Sequence, residues 1–181
     1  MNKINEQDII ARIQEPCTRR KAFEDIVNMF GQTLYWQIRR IVTYHEDADD
    51  VLQNTFIKAW SNLDKFRGDS KISTWLYRIA YNESINFLNS RNQTISLDNE
   101  EENFAERLES DTYFDGDDTQ KLLQQAILQL PEKQRAVFTL KYYQELKYEE
   151  ISEITGTSIG ALKASYHHAV KKIEDFFNQL E

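Results

Sequence analysis

The sequence predicts an all-α protein made of two small helical domains joined by an acidic flexible linker, the second a helix-turn-helix domain. Apolar residues recur at steps of three and four along almost the whole chain, and no convincing alternating strand pattern is found. Only 5 glycines and 2 prolines occur among the 181 residues, so little interrupts long helices. The apolar content of 40% and the charged content of 29% are typical of a soluble globular protein.

Four helices are expected before the linker, at Asn5–Gln14, Arg19–Tyr44, Asp47–Trp60 and Ser70–Asn89. The long second helix carries an apolar stripe formed by Phe23, Ile26, Val27, Phe30, Leu34, Ile38 and Ile41 or Val42. The polar loop Asn62–Asp69 follows the third helix, with Gly68 as its turn residue. Four more helices are expected after the linker, at Thr119–Gln129, Pro131–Tyr143, Tyr148–Thr155 and Ser158–Asn178. Pro131 suits a helix start, because a missing N–H costs nothing there.

The negative charge of the chain is concentrated in one segment. Residues 98–118 contain ten of the 30 acidic residues and one of the 22 basic residues, although the net charge is only −8. Little apolar periodicity accompanies these acids, which predicts a flexible linker at 96–118 between domains at 1–95 and 119–181. A solvent-facing helix around Phe104–Leu108 is the alternative. Because the flanking domains are nearly neutral, the net charge does not exclude a nucleic-acid partner.

Several classes of site and location are not expected. Cys17 is the only cysteine, so no disulfide forms within the chain. No basic segment followed by an apolar run opens the chain, and nowhere are eighteen consecutive residues apolar, which predicts a cytoplasmic protein without membrane insertion. His167 and His168 point about 100° apart on a helix and cannot readily chelate one ion. No nucleophile–base pattern, Gly-rich phosphate loop or HExxH motif is found, so no enzyme, cofactor or metal is expected.

The first informative motif is the helix Asp47–Trp60, which has two dissimilar faces. One face is an apolar stripe formed by Ala48, Val51, Leu52, Thr55, Phe56, Ala59 and Trp60. The other face carries short acids and amides, with Ile57 set among them. Short side chains lose little rotamer entropy when covered, which suits docking on a basic partner helix. For this helix alone, an ordinary solvated face with a capping aspartate is equally compatible.

The second motif is a helix-turn-helix at Tyr148–Lys172. Gly156 permits the left-handed conformation of a tight turn, and Ser158 is suited to cap the second helix. Small and basic residues occupy the early exposed positions of that helix, namely Gly160, Ala161, Lys163, Ala164, His167 and His168. Small residues allow close approach to DNA, and Lys and His can donate to bases or phosphates in a major groove. A plain helical hairpin is the alternative.

The third motif joins the Asn62–Asp69 loop to the fourth helix. Trp75, Arg78 and Asn82 are spaced by three and four residues, on a different face from the core stripe of Ile72, Leu76, Ile79 and Ala80. An aromatic ring, a guanidinium and an amide together offer stacking, phosphate charge and edge hydrogen bonds to unstacked bases. Taken alone, these residues are more simply explained as core packing.

The three motifs occur in one order and at one spacing, and together they closely resemble the bacterial sigma factors of the sigma-70 family. The resemblance is to the small two-domain extracytoplasmic-function (ECF) group, and it is carried by Asp47–Trp60, Phe66–Arg91 and Leu130–Ile173. The segment GALKASYHHAVKKIE resembles the branch common in Bacteroidetes-type bacteria. The resemblance implies a subunit that binds core RNA polymerase, recognises the −10 and −35 promoter elements and promotes DNA opening.

The resemblance also implies roles for individual residues. The implied contacts with the polymerase β′ clamp helices are Asp49, Asp50, Gln53, Asn54 and Ile57. The implied −10 contacts, beside a loop that captures a flipped base, are Phe66, Arg67, Ser73, Trp75, Arg78 and Asn82. The implied −35 contacts are Lys141, Ser158, Lys163, Ala164, His167 and His168. The polymerase β flap and an anti-sigma factor are further expected partners, and the acidic linker would run through the RNA-exit region of polymerase as a nucleic-acid mimic.

Departures from the family pattern prevent inference of a promoter sequence. The helix after Gly160 has fewer arginines than is common, and Asn86 and Asn89 stand where Asp and Arg are common. Two competing hypotheses remain at this point. A stand-alone helix-turn-helix regulator would bind DNA without polymerase, usually through a dimerisation helix, and no heptad seam is evident. A protein-interaction module would bind a regulatory partner alone. Association with core polymerase separates both from a sigma factor.

Overall fold

The computed structural model describes the backbone of residues 6–95 and 118–180, over which every regular element is helical, as the predicted fold class requires. The first unit, residues 6–95, contains α1 Glu6–Gln14, α2 Arg19–Val42, α3 His45–Ser61 and α4 Ile72–Ile95. The second unit, residues 118–180, contains α5 Asp118–Leu128, α6 Glu132–Phe138, α7 Tyr148–Thr155 and α8 Ile159–Asn178. The predicted linker and its alternative helix at Phe104–Leu108 lie outside the described residues, except that Asp118 begins α5.

The first unit is a bundle in which α2, α3 and α4 pack against one another and α1 packs on α2. The predicted stripe of α2 forms its centre, since Ile26, Leu34 and Ile38 are fully buried. Apolar side chains at steps of three and four bring one face of each helix into this core. Gln37 is also fully buried, which hydrophobic periodicity does not predict for a polar side chain.

The connections in the first unit depend on unusual backbone angles. Helix α2 ends at Val42, because the C-cap residue Thr43 has a φ of 87° in the left-handed region; the helix therefore stops before the predicted end at Tyr44. The Asn62–Asp69 loop begins with a 3₁₀ turn at Leu63–Lys65. Gly68 has a φ of 79°, which confirms it as the turn residue.

The second unit contains the predicted helix-turn-helix. Helix α7 has the predicted bounds, and Gly156 ends it with a left-handed φ of 68°. The Ser158 hydroxyl accepts a 3.4 Å hydrogen bond from the Ala161 N–H and caps α8. Pro131 is the N-cap residue of α6 rather than its first helical residue, because its ψ of 142° is extended. A π-helical turn, Thr139–Tyr143, continues α6.

The two units are in contact, and one apolar cluster spans them. Helix α7 packs on α4, and α6 packs on α2. The second unit also has an apolar cluster of its own between α5, α6 and α8. The residues that the second unit contributes to the shared cluster are Ala136, Val137, Leu140, Ile151, Ile154 and Leu162. Two helix pairs, α4 with α7 and α2 with α6, form the contact between the units together with the turn that follows α6. We call this contact the interdomain interface.

Candidate functional site

The polar face of α3 is open to solvent, as predicted. Its residues Asp49, Asp50, Gln53, Asn54 and Ile57 are all exposed, and the Ile57 side chain is 56% exposed. On the opposite side, the small residues of the predicted stripe are buried against the rest of the first unit. Ile57 thus adds an exposed apolar side chain to a face that otherwise carries short acids and amides.

The beginning of α3 is tied to its neighbours. The Tyr35 hydroxyl lies 2.7 Å from His45 Nδ1, while His45 Nε2 lies 3.4 Å from the Asp49 carboxylate. Arg91 of α4 donates to Asp47 at 3.0 Å. Burial raises the pKa of Asp47, and the nearby Arg91 guanidinium opposes that shift. Asp47 therefore anchors α3 to α4, whereas Asp50 is exposed on the open face of α3.

Trp60 departs from its predicted place in the core. Its side chain is 45% exposed, although its ring meets Phe23 edge-on at 5.1 Å. The residue lies at the last turn of α3, where the bundle no longer covers the whole indole. Trp60 thus extends the exposed surface at the end of the helix that carries Ile57.

The loop after α3 divides the predicted −10 residues into exposed and buried groups. Phe66 is only 5% exposed, and its ring lies 5.0 Å from that of Trp75. The expectation that Phe66 itself contacts DNA is corrected, because its ring is enclosed and supports Trp75 instead. Arg67 is exposed beside Gly68 at the tip of the loop. A Cβ atom added at Gly68 would lie 3.5 Å from the Ile10 side chain, so this part of the loop packs on α1.

Lys71, immediately before α4, lies beside the predicted face and was not among the predicted −10 contacts. Trp75, Arg78 and Asn82 project along one side of the helix, and Lys71, four residues before Trp75, continues that row. We call these four residues the α4 patch. Lys71 is not part of the apolar stripe from which the helix was predicted. Its position four residues before Trp75 could nevertheless have indicated that it lies on the same side. Ser73 is partly buried beside the patch.

The α4 patch faces α7 of the second unit. Lys71 Nζ lies 3.1 Å from Glu150 Oε1, and an Arg78 guanidinium nitrogen lies 3.0 Å from Glu153 Oε1. The backbone N–H of Lys147 and the Lys71 ammonium lower the pKa of Glu150, in that order of importance. Lys71 and Arg78 of the α4 patch are therefore each paired with a carboxylate in this conformation.

The predicted −35 residues on α8 are exposed, whereas Ser158 and Lys141, which precede that helix, make hydrogen bonds within the protein. Lys163, Ala164, His167 and His168 are exposed on the outer side of α8. Lys141 instead donates to the Leu146 carbonyl at 3.0 Å, which fixes its ammonium on the protein. The exposed basic residues Lys171 and Lys172 border a shallow groove beside His168 and extend this surface beyond the predicted set. The sequence could have indicated these two residues, because they are basic and lie one helical turn after His167 and His168.

Two absences hold within the described parts of the chain. Over residues 6–95 and 118–180, no group of three His, Cys, Asp or Glu side chains is placed to hold a metal ion. In the same two ranges, no helix is long and apolar enough to cross a membrane.

Comparison with protein families gives two matches in chain order. Residues 26–94 match the model of sigma-70 region 2, and residues 120–173 match that of sigma-70 region 4. The first match contains α3, the loop and all but the last residue of α4, and the second contains the helix-turn-helix. The open face of α3, the α4 patch and the outer surface of α8 thus fall inside the matched regions.

Relatives of known name match over most of their length. The ECF RNA polymerase sigma factor SigW of Bacillus subtilis is 35% identical over 81% of this chain and 83% of its own. The RNA polymerase sigma-H factor of Pseudomonas aeruginosa is 31% identical over 93% of this chain and 92% of its own. The ECF RNA polymerase sigma-E factor of Haemophilus influenzae is 28% identical over 96% of this chain and 95% of its own.

Two solved structures share the fold. CnrH in complex with the cytosolic domain of CnrY has a TM-score of 0.71 and 22% identity, covering 96% of this chain and 97% of its own. The sigma factor RpoE in complex with the anti-sigma factor NepR, from Bartonella quintana, has a TM-score of 0.68 and 20% identity, covering 87% and 98%. With both sigma-70 regions in order and relatives above 30% identity over most of the chain, the protein belongs to the ECF group of sigma-70 family RNA polymerase sigma factors.

Proposed function

We propose that this chain is a promoter-specificity subunit that binds core RNA polymerase, directs it to −10 and −35 elements and promotes DNA opening, with no catalytic activity of its own. The presence of both sigma-70 regions in one chain, each with an exposed surface of suitable chemistry, carries the proposal. It acts in the cytoplasm, where bacterial transcription takes place. The limits 1–95, 96–118 and 119–181 remain our proposed division into two domains and a linker.

The exposed face of α3 is the proposed contact with the β′ clamp helices. Its acids and amides complement a basic partner, while Ile57 supplies apolar area at the centre of the contact. Interfaces generally combine apolar contact area with polar groups, and this face carries both kinds of side chain. The second unit adds a contact with the β flap.

The loop and the α4 patch are the proposed −10 surface. Arg67 and Arg78 supply phosphate charge, Trp75 supplies a stacking surface, and Ser73 and Asn82 supply hydrogen bonds. Capturing an unstacked base beside this patch offsets an unstacking cost of a few kcal/mol and so favours the open promoter. Phe66 contributes by holding the Trp75 ring in place.

The outer surface of α8 is the proposed −35 contact. Lys163, His167 and His168 can donate to phosphates or base edges, while Ala164 allows the helix backbone to approach the groove. Ser158 fixes the beginning of the helix by capping it. Lys141 stays a proposed −35 contact, and its ammonium would have to leave the Leu146 carbonyl to reach DNA.

Three further parts of the proposal depend on family resemblance. The acidic segment 96–118 follows the RNA-exit region of polymerase as a mimic of nucleic acid. An anti-sigma factor regulates the chain, in keeping with the RpoE–NepR complex that shares its fold. The chain belongs to the Bacteroidetes-type branch, for which the segment GALKASYHHAVKKIE is the support. Grouping of this segment with such sequences in a family-wide alignment would test that placement.

A pull-down with core RNA polymerase tests the central proposal. The wild-type chain should be retained, and Asp50→Ala/Gln53→Ala should reduce retention while leaving the melting temperature unchanged, since both side chains are exposed. Glu24→Ala/Asn28→Ala is a matched control that removes one exposed acid and one exposed amide from α2. Failure of the wild-type chain to associate would refute the sigma-factor proposal. Specific duplex binding without polymerase would favour a stand-alone regulator instead.

A further inference from the structure

Two basic side chains in the second half of α8 have no ionic partner in the described part of the chain. Lys171 and Lys172 are exposed and make no ion pair there, although Asp175 lies only one helical turn further on. Cations elsewhere in the protein differ, since Lys58 of α3 pairs with Glu83 of α4. A lysine without a carboxylate partner keeps its charge and its three donors available to an external anion.

The two lysines border a groove that also contains a polar atom without a partner. The groove has a volume of about 450 Å³ and lies between the second half of α8 and the beginning of α6, where Gln134 lines it. Gln134 Oε1 is buried and has no hydrogen-bond partner among the described residues. An ammonium drawn into the groove by an anion would donate to this oxygen, so anion binding would remove a cost that the protein alone bears.

The position of the groove along α8 relates it to the proposed −35 surface. Lys163, His167 and Lys171 follow one another at steps of four residues, so they form one row along the helix. Eight residues at a rise of about 1.5 Å place Lys171 about 12 Å beyond Lys163 along the axis. The major groove of B-DNA is about 12 Å wide and is bounded by the two phosphate backbones. The row thus places a cation near each edge when its middle faces the bases.

The chemistry of the lining fits a phosphate. A base edge presents a fixed pattern of donors and acceptors, whereas the lysine pair supplies charge and donors alone. His168 adds a ring nitrogen beside the lysines. Phosphate oxygens are charged acceptors, and they match such a set of donors. Asp175 also lines the groove, and its carboxylate opposes an anion there, which gives the site a residue whose removal should strengthen binding.

We propose that the groove between α8 and α6 binds a backbone phosphate of the −35 DNA, with Lys171 and Lys172 as the phosphate contacts and Gln134 positioning one of their ammonium groups. This inference depends on the proposed −35 role of α8, to which it adds a second point of attachment about 12 Å from Lys163. Phosphate contacts fix the register of a protein on duplex DNA without reading its sequence. The contribution of the groove is therefore the same for every duplex sequence.

The salt dependence of duplex binding tests the phosphate contact. The anisotropy of a labelled pool of random-sequence duplexes measures binding by the full chain, so no promoter sequence is needed. Each phosphate contact adds about 0.9 to the slope of log K against log salt concentration, so Lys171→Gln/Lys172→Gln should reduce the slope by about 2. Raising the salt concentration from about 50 to about 200 mM should then weaken the wild type about tenfold more than the variant.

Matched variants separate the groove from the overall charge of the protein. Arg20→Gln/Lys21→Gln removes two exposed cations from α2 and should leave the slope unchanged. Asp175→Asn should strengthen duplex binding by more than Glu174→Gln, because Asp175 lines the groove and its exposed neighbour Glu174 does not. Gln134→Ala should weaken binding without changing the slope, since an amide carries no charge. Melting temperatures establish that each variant is folded.

An unchanged slope in Lys171→Gln/Lys172→Gln would overturn the proposal, and so would equal gains from Asp175→Asn and Glu174→Gln. Lys163→Gln reports on the −35 surface separately, because it should reduce the slope by about 1 whether or not the groove binds a phosphate. A wild-type chain that bound no duplex at low salt would instead refute the −35 role of α8. Failure of the groove is therefore distinguishable from failure of the proposed function, which the polymerase pull-down also tests independently.

Discussion

Replacing Gln37 by methionine should stabilise this protein. The Gln37 side chain is fully buried on α2, and neither its amide nitrogen nor its amide oxygen has a partner among the described residues. A buried polar group without a hydrogen bond costs about 1–3 kcal/mol. Methionine has a similar unbranched shape and no strong polar group, so it removes this cost with little change in packing.

The expected gain is therefore about 1–3 kcal/mol in the free energy of unfolding. For a chain of this length, each kcal/mol raises the melting temperature by roughly 2–4 °C. Thermal unfolding followed by circular dichroism measures the change. Gln53→Met is the matched control, since Gln53 is exposed on α3 and its replacement removes no buried polar group.

The outcome that would refute this reasoning is a lower melting temperature for Gln37→Met than for the wild type. Such a loss would mean that the amide makes hydrogen bonds worth more than its burial costs. Gln37→Ala separates the two effects, because it removes the polar group but leaves a cavity in the core. Its melting temperature should lie below that of Gln37→Met.

Two other predictions concern the second unit. Gly156→Ala should lower the free energy of unfolding by about 1 kcal/mol, because a non-glycine residue is disfavoured at a φ of 68°. The loss should come from the backbone alone, since an added Cβ there meets no atom within 4 Å. An unchanged urea midpoint would contradict the turn geometry. The pKa of Glu150 is lowered in the folded state, so its stabilising contribution is complete above the ordinary glutamate pKa of about 4.3 and is lost as pH falls through the folded value. Urea midpoints across this pH range should fall more steeply for the wild type than for Glu150→Gln, and parallel curves would argue against the lowered pKa.

Local features of the fold follow from sequence pattern to a large extent. The apolar stripe through Ile26, Leu34 and Ile38 predicts the buried side of α2, because a helix of 3.6 residues per turn brings these positions to one face. Gly156 and Ser158 predict the turn and the cap of the helix-turn-helix, since both act through the backbone of their own segment. The exposure of the polar face of α3 can likewise be predicted from its own segment, because burying short polar side chains without partners is unfavourable.

The exposure of aromatic residues is decided by distant parts of the chain. From sequence, Trp60 was predicted to lie in the core and Phe66 at the DNA surface, whereas the structure leaves Trp60 partly exposed and buries Phe66. Periodicity gives the side of a helix on which a ring lies, but not whether another helix covers it. Trp60 lies where the bundle ends, while Phe66 lies under the loop against Trp75.

By itself, the sequence determined that this chain is helical, has two regions of the sigma-70 type and offers polar surfaces on α3, α4 and α8. Those features depend on residues within a few turns of one another. Only the tertiary structure showed that Glu153 reaches Arg78 and that Arg135 reaches Thr43, contacts that span 75 and 92 residues of chain. Such contacts depend on how two separately patterned units pack together, and periodicity within either unit contains no information about the face that it presents to the other.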